Sequence, residues 1–278
     1  MSVQRRVASA VPNPAGASAS LAKNNAARWK TGLTVAPPAQ NEAGFFELTP
    51  TAGTGRIPVS HADPAHASVV QILSFRPGET VPRLAGTGVF VAEDLLVTAA
   101  HVIFDPSEEV FGSQRMGYAG MVVLQSEVLR ILPAVRQTQR IVAAPGYTQD
   151  GDPSFDLAVI QLNDPVGAAQ AVRPHAAAGD KLVGMHVNVY GYPQLSSRMF
   201  SGSGSCIAHD RGLIFHTADV TEGQSGGAVM AEAGNTWRFV GLHRAGPAET
   251  PRTLPQSSGA VRFTPAGLKW IADMGENL

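Results

Sequence analysis

From residue 67 onward, short apolar runs rich in β-branched residues alternate with turns rich in Gly, Pro, Asn, Asp and Ser. Runs bounded in this way are typical of β-strands, and the stretches between them carry no sustained helical period. Nine strands are predicted: Ala67–Phe75, Gly86–Ala92, Leu95–Thr98, Met121–Gln125, Leu157–Leu162, Val187–Tyr190, Leu213–His216, Ala228–Met230 and Phe239–Leu242. Their spacing predicts an all-β fold built from antiparallel barrels or sandwiches.

The C-terminus departs from this strand pattern. Thr264 followed by Pro265 supplies an N-cap residue and a proline at the first helical position. Leu268, Ile271 and Met274 then place apolar side chains at three-residue spacing. We expect a short terminal helix that packs one face on the β core.

Composition divides the chain into segments. The first 40 residues contain five basic and no acidic residues and are rich in Ala, Pro and Ser, so residues 1–54 are predicted to form a flexible basic leader or pro-segment. Residues 166–180, rich in Ala, Gly and Pro, separate the strands into two groups. The prediction is a first β unit at residues 55–165, a connecting segment at 166–180, and a second β unit with the terminal helix at 181–278.

Charge and cysteine content exclude several classes of function. The 278 residues carry 21 basic and 22 acidic side chains, so neither nucleic acid nor an anionic membrane is an expected partner. Cys206 is the only cysteine, which excludes an intrachain disulfide and a cysteine-built metal site. His61 and His66 lie in a Pro-containing stretch without metal-ligand spacing, so no metal and no cofactor are expected.

The sequence also carries expectations about location and assembly. No apolar run approaches the length of a membrane span, and the first residues are too broken for a signal-peptide core. We therefore expect a cytoplasmic protein, or one exported without a cleavable signal, and a monomer in preference to an oligomer.

Three local patterns carry candidate chemistry. The predicted strand at Leu95–Thr98 leads into His101, Asp156 lies at the start of an apolar strand, and Ser225 lies in a glycine-rich turn before another strand. The order is His, Asp, Ser, with spacings of 55 and 69 residues. Each residue lies at the end of a predicted strand, where side chains from different strands of a barrel can converge.

These residue types fit nucleophilic catalysis. A serine hydroxyl attacks well only when a base removes its proton, and an imidazole can take that proton and return it to the leaving group. A buried carboxylate fixes the imidazole tautomer and stabilises its charged form. The backbone N–H groups of Gly223 and Ser225 can bind the oxyanion if the turn is tight. The pattern predicts a serine hydrolase with His101, Asp156 and Ser225 as its triad.

Other candidates and simpler interpretations exist for each position. A lone histidine, a carboxylate at a strand end or a serine in a turn is often structural. Rival residues lie in Asp-Pro loops or in a Ser-Gly repeat and are ranked lower for that reason; they are Asp105, Asp152, Ser201, Ser203 and Ser205.

The motif Gly223–Gly227 also matches the Gly-x-Ser-x-Gly elbow of α/β-hydrolases. That fold places an aspartate and then a histidine after the serine. No aspartate lies between Ser225 and His243, and Asp273 follows the last histidine. The α/β-hydrolase fold is therefore rejected.

The same motifs resemble those of the trypsin-like serine proteases. Three segments carry the resemblance: Thr98–His101, Asp156–Ile160 and Gly223–Gly227. A closer similarity, to the bacterial glutamyl endopeptidase branch, is carried by Arg56–Val59, Gly191–Pro193 and Val240–Gly246. The similarity extends from about residue 54 to the C-terminus.

The resemblance implies two six-stranded antiparallel β-barrels of the chymotrypsin type with an active site between them. The first barrel would supply His101 and Asp156, and the second would supply Ser225 and the oxyanion hole. The implied activity is a serine endopeptidase that hydrolyses polypeptides through an acyl-enzyme. Gln224 stands where trypsin-like zymogens carry an aspartate for a new N-terminal amine, so that activation switch is absent.

The resemblance also bears on specificity. In the glutamyl branch a histidine at the position of His243 favours glutamate before the scissile bond, and a hydroxyl residue usually assists at the position of Val220, which Thr221 follows here. Glutamate preference would allow self-cleavage of the leader at Glu42 or Glu47. Two alternatives stay open: the same triad with broad or non-acidic specificity, and a catalytically silent protein-binding barrel.

Overall fold

The computed structural model describes residues 55–59, 68–74, 84–110, 114–117, 121–124, 138–162, 171–194, 196, 198–251, 253–254 and 256–276. The predicted leader at residues 1–54, together with His61 and His66, lies outside the described residues. The strands are β1 (Arg56–Val59), β2 (Val69–Ser74), β3 (Leu84–Phe90), β4 (Leu95–Thr98), β5 (Phe104–Val110), β6 (Gln114–Gly117), β7 (Met121–Leu124), β8 (Thr138–Ala143), β9 (Ala158–Leu162), β10 (His186–Gly191), β11 (Met199–Asp210), β12 (Leu213–His216), β13 (Ala228–Ala233), β14 (Thr236–Ala245) and β15 (Ser258–Arg262). The helices are α1 (Pro145–Asp150), α2 (Gly179–Leu182) and α3 (Pro265–Glu276).

The second β unit is a closed antiparallel barrel. Its strands follow the order β1-β11-β10-β13-β14-β15-β12, and β11 also pairs with β12, which closes a ring of six strands. Strand β1 lies outside the ring along β11, with Arg56 opposite Gly202. Val187, Ile214 and Val240 are among the buried side chains that fill the interior. This barrel agrees with the expectation for the half of the chain that carries Ser225.

The first β unit is a six-stranded antiparallel sheet of order β7-β2-β3-β4-β9-β8. Within the described residues no pairing joins β7 to β8, so the expected closure of this barrel is not observed. The difference arises in part because β5 and β6 pair with each other as a separate two-stranded sheet. Val70, Phe90 and Ile160 belong to a buried cluster on this sheet. The predicted all-β fold of the chymotrypsin type is confirmed, with one closed barrel and one open sheet.

The two units share a buried apolar cluster. Val97 and Val159 of the first sheet belong to the same cluster as Phe239 and Leu242 of the second. The connecting segment runs along this boundary, where the Val172 N–H donates to the Phe90 carbonyl at 2.9 Å. A shared core of this kind holds the two halves of the cleft in a fixed relation.

The terminal helix α3 begins where the sequence predicts. The Thr264 hydroxyl accepts the Gly267 N–H at 3.0 Å, which is an N-cap bond. Ile271 is buried in the shared cluster, and Leu268 and Met274 pack against it. No helix among the described residues is long and apolar enough to cross a membrane.

Candidate active site

His101 and Asp156 meet at the edge of the first sheet. The 3₁₀ turn Ala100–Val102 follows β4 and carries His101, while the 3₁₀ turn Pro153–Phe155 places Asp156 just before β9. The His101 N–H donates to Asp156 Oδ1 at 3.0 Å, and His101 Nδ1 lies 2.8 Å from Oδ2. Since β4 and β9 are paired neighbours, the sheet register itself brings the two residues together.

The electrostatics of this pair favour a charged carboxylate and a basic imidazole. Burial opposes the charge of Asp156, yet His101, its two hydrogen bonds and Arg244 together hold the pKa of the carboxyl below its usual value. Burial likewise opposes protonation of His101, but the Asp156 charge and hydrogen bond outweigh it and raise the pKa of the ring. The His101 side chain is 31% exposed, so its outer edge is open to the cleft.

Arg244 of the second barrel also contacts Asp156. Its Nε donates to Asp156 Oδ2 at 3.1 Å, and its Nη2 lies 3.9 Å from Glu249 Oε2. The arginine side chain is only 16% exposed. Sequence reasoning assigned Arg244 no role, because a residue 88 positions away from Asp156 gives no local signal of the contact. The one feature of the sequence that could have drawn attention to Arg244 is its position directly after His243.

Ser225 lies in a turn that requires glycine on both sides. Gly223 has φ +90° and Gly226 has φ +82°, in the left-handed region that glycine adopts without strain. A Cβ on Gly226 would lie 2.0 Å from the Thr87 carbonyl oxygen, and one on Gly223 would lie 2.2 Å from the Gln194 backbone nitrogen. The glycine-rich motif is therefore a packing requirement of the turn as well as a conformational one.

Hydrogen bonds from both sheets fix this turn. The Thr87 N–H donates to the Ser225 carbonyl at 2.7 Å, and the Gly226 N–H donates to the His243 carbonyl at 2.7 Å. The buried Gln224 side chain accepts the Thr221 N–H through Oε1 at 2.8 Å. Gln224 thus braces the turn from within.

The Ser225 hydroxyl donates to the Arg244 carbonyl at 3.4 Å. Arg244 consequently contacts two of the predicted triad residues, through its guanidinium and through its backbone. Catalytic hydrogen bonds are often long or turned away in a free enzyme and form when substrate binds. A rotation about χ1 is the movement that would redirect the hydroxyl towards another acceptor.

The amides of Gly223 and Ser225 were predicted to form the oxyanion hole. Within the described part of the chain neither amide donates to a backbone carbonyl, although the intervening Gln224 N–H donates to Thr221 at 3.2 Å. Two unengaged donors on either side of Gln224 are the arrangement that an oxyanion hole needs. Their role stays a prediction.

The predicted specificity residue His243 is one of a pair of buried histidines. His243 is 2% exposed and His216, which sequence reasoning missed, is fully buried. Their ring centroids lie 5.6 Å apart in an edge-to-face arrangement. Val220 packs against the core of the second barrel, and Thr221 is half-buried in the turn that carries Ser225.

Both imidazoles are neutral near pH 7. Burial lowers the pKa of His216 to about 4. Burial is also the main cause that holds the pKa of His243 well below 6.5, with smaller contributions from the neighbouring His216, His101 and Arg244. Among the described residues, His243 Nδ1 and both nitrogens of His216 are buried without a hydrogen-bond partner. Unpartnered buried nitrogens are costly, so this histidine pair destabilises the core unless another group bonds to it.

The rival residues have other partners. Asp152 accepts the Ser154 N–H and hydroxyl at 2.9 and 2.7 Å, and these bonds lower the pKa of its carboxyl. Asp152 is therefore a local cap. Ser201, Ser203 and Ser205 lie on β11 instead of in a loop, and the Ser203 hydroxyl donates to Asn188 at 2.6 Å. The Asp105 side chain lies outside the described residues.

Comparison with known proteins agrees with this geometry. A model of the trypsin-like peptidase domain family matches residues 86–242, more than half of the chain. Glutamyl endopeptidase of Bacillus licheniformis is 24% identical over 149 residues, which cover 53% of this chain and 45% of that protein. The chain thus spans less than half of the length of this curated relative.

Solved structures show the same fold. A Glu endopeptidase in complex with MPD superposes with a TM-score of 0.64 at 19% identity, covering 81% of this chain and 97% of that one. A thermostable serine protease from an extremophilic microorganism gives a TM-score of 0.60 at 16% identity, with coverage of 76% and 98%. The chain therefore shares the fold of these proteins. The chain belongs to the trypsin-like peptidase domain family.

Proposed function

We propose that the protein is a serine endopeptidase in which Ser225 is the nucleophile, His101 the general base and Asp156 the group that orients and stabilises the imidazole. The observation that carries this proposal is the two-bond contact between His101 and the buried Asp156, at 3.0 and 2.8 Å. A carboxylate held in this way fixes the imidazole tautomer with Nδ1 protonated. Nε2 is then the free base.

The reaction follows from these positions. His101 Nε2 takes the Ser225 proton as Oγ attacks the carbonyl carbon of the substrate, and the peptide C–N bond breaks as the imidazolium returns the proton to the leaving amine. Water then attacks the acyl-enzyme with the same base, which releases the carboxylate product and restores the serine. The Gly223 and Ser225 amides would stabilise the oxyanion in both steps.

A preference for glutamate before the scissile bond is the finer part of the proposal. It is supported by the similarity to a glutamyl endopeptidase and by the unpartnered Nδ1 of the buried His243. Val220 offers no hydroxyl to a carboxylate, and the neutral state of His243 means that binding a carboxylate needs a proton to be taken up with it. Broad or non-acidic specificity with the same triad is the alternative.

The experiment is covalent labelling with a fluorophosphonate followed by peptide mapping, together with cleavage of a diverse peptide library. A label on Ser225 and cleaved peptides are expected. Folded protein that takes no label and cuts no peptide would point to the silent binding barrel. Ser203→Ala is the matched control, because the Ser203 hydroxyl is on the same barrel but donates to Asn188. The Ser203→Ala protein should be labelled at Ser225 as readily as the parent.

A further inference from the structure

Arg244 contacts two of the predicted triad residues: Asp156 of the first β unit through its guanidinium, and Ser225 of its own barrel through its backbone. Its Nε bonds the same oxygen of Asp156, Oδ2, that lies 2.8 Å from His101 Nδ1. Its carbonyl accepts the Ser225 hydroxyl at 3.4 Å. Arg244 is on β14 of the second barrel, whereas His101 and Asp156 belong to the first unit, so this side chain joins the two units through its bond to Asp156.

A guanidinium is suited to hold a carboxylate plane. Its donors are planar and rigid, and a carboxylate that receives bonds from several directions loses its rotational freedom. Asp156 receives three: the His101 N–H, the His101 ring and Arg244 Nε. Arg244 is itself held by the nearby Glu249 carboxylate at 3.9 Å.

We propose that Arg244 is a positioning residue of the proteolytic site, which fixes the Asp156 carboxylate for His101 and locks the two β units together at the cleft. This inference rests on the proposed function for its effect on catalysis. Removal of Arg244, which is outside the triad, should slow the reaction and leave substrate binding in place.

The charge of Arg244 also acts on His101. Asp156 and Glu249 favour the imidazolium, whereas Arg244 opposes it; the neighbouring His243 is neutral near pH 7, because its pKa lies well below 6.5. Without the guanidinium the pKa of His101 should rise, and the free base should become available only at higher pH. The ascending limb of the pH profile of kcat/KM is expected to move to higher pH.

Two substitutions separate charge from geometry. Arg244→Met removes both, so kcat should fall about tenfold to a hundredfold, the range of one charge-assisted hydrogen bond, with KM little changed. Arg244→Lys keeps the charge but loses the planar donor, so kcat should fall while the ascending limb stays near that of the parent. Arg238→Met is the matched control, since Arg238 is exposed on the same strand β14, and it should behave like the parent.

The pKa of His101 is also measured without catalysis, by NMR titration of the imidazole in Ser225→Ala protein with and without Arg244→Met. An upward shift supports the inference even if the parent cuts no peptide, in which case only the proposed function fails. An unchanged pKa of His101 in folded protein, or parent-like kcat in Arg244→Lys, would overturn it. If Arg244→Met does not fold, Arg244→Lys is the test: a lower kcat with a parent-like ascending limb supports the inference, and a parent-like kcat overturns it.

Discussion

The backbone N–H of Thr87 donates to the carbonyl of Ser225 across the boundary between the two β units, at 2.7 Å. The Thr87 hydroxyl reinforces this contact, because it donates to the Gly223 carbonyl at 3.2 Å and accepts the Tyr192 N–H at 2.9 Å. Its own carbonyl accepts the Thr98 hydroxyl at 2.7 Å. One buried threonine therefore connects the turn that carries Ser225 to the strand pair that leads to His101.

The first prediction concerns this threonine. Thr87→Val keeps the shape of the side chain but removes the hydroxyl from two buried hydrogen bonds, to the Gly223 carbonyl and from the Tyr192 N–H. The free energy of unfolding should therefore fall by about 1–3 kcal/mol. Loosening of the Gly223 carbonyl should also slow fluorophosphonate labelling of Ser225. Urea unfolding and labelling rates are the measurements.

Thr236→Val is the control for this change, because its hydroxyl donates to the Ala233 carbonyl in an exposed hairpin. It should alter neither stability nor labelling appreciably. Parent-like stability and labelling in Thr87→Val would mean that the hydroxyl does not support the turn.

The second prediction is that Ser225→Ala abolishes hydrolysis and leaves the fold intact. Losing a triad serine typically costs on the order of 10⁶ in turnover, and alanine fits a half-buried turn position without strain because only one oxygen is removed. Peptide turnover and circular dichroism check both parts. Hydrolysis by the folded variant above roughly a hundredth of the parent rate would reject Ser225 as nucleophile.

Local signals predicted the strand ends that carry His101, Asp156 and Ser225. Apolar runs beside polar residues reveal strand ends, and paired glycines reveal a strained turn. The register of β4 and β9 then completes the contact between His101 and Asp156, which a sequence pattern alone leaves open.

The long strand β11 was beyond sequence reasoning. Its Ser-Gly repeat has the composition of a loop, yet Gly202 and Gly204 lie on a strand because backbone packs directly on them. A Cβ on Gly202 would lie 1.9 Å from the Asp219 carbonyl oxygen, and one on Gly204 would lie 2.2 Å from the Ala218 nitrogen. Strand propensity here is decided by a tertiary contact.

Arg244, Thr87 and His216 were missed for a related reason. Each acts through partners far away along the chain: Arg244 and Asp156 are 88 residues apart, and Thr87 and Gly223 are 136 apart. Sequence periodicity reports the face on which a residue lies but carries no information on such pairs.

The third prediction concerns the choice between glutamate and glutamine. If His243 reads the carboxylate, binding must be accompanied by protonation of an imidazole whose pKa lies well below 6.5, so the ratio of kcat/KM for Glu over Gln peptides should rise as pH falls from 8 towards 6. The ratio cancels the titration of His101, which affects both substrates alike.

His243→Ala should reduce this Glu/Gln ratio towards one while lowering the rate for Gln peptides far less. His209→Ala, an exposed histidine of the same barrel, should leave the ratio unchanged. Equal cleavage of the two substrates by the parent at every pH would favour the broad-specificity alternative.

The last prediction concerns stability and the buried His216. Its folded-state pKa of about 4 lies below 6.5, the ordinary value for histidine. Between these values the unfolded chain binds a proton that the folded protein does not, so stability rises with pH. The slope approaches about 1.4 kcal/mol per pH unit. His216→Phe fills the same space without unpartnered nitrogens, so the fall in unfolding free energy from pH 7 to pH 5 should shrink by about 2 kcal/mol.

His243 adds to the difference in the same direction, because His216 is one cause of its lowered pKa, and His216→Phe should let that pKa rise and weaken the pH dependence that His243 itself contributes. His101 and Asp156 do not change the comparison. His101 has a raised pKa, so its stabilising contribution is present at low pH and is lost as pH rises through that pKa. Asp156 has a lowered pKa, so its stabilising contribution is lost only under strongly acidic conditions. Both remain in the variant and cancel in the difference. His209→Phe, a change at an exposed histidine, should keep the pH dependence of the parent. The measurement is urea unfolding at pH 5, 6 and 7. If the unfolding free energy of His216→Phe has the same slope against pH as that of the parent, His216 takes up its proton as readily in the folded protein as in the unfolded chain.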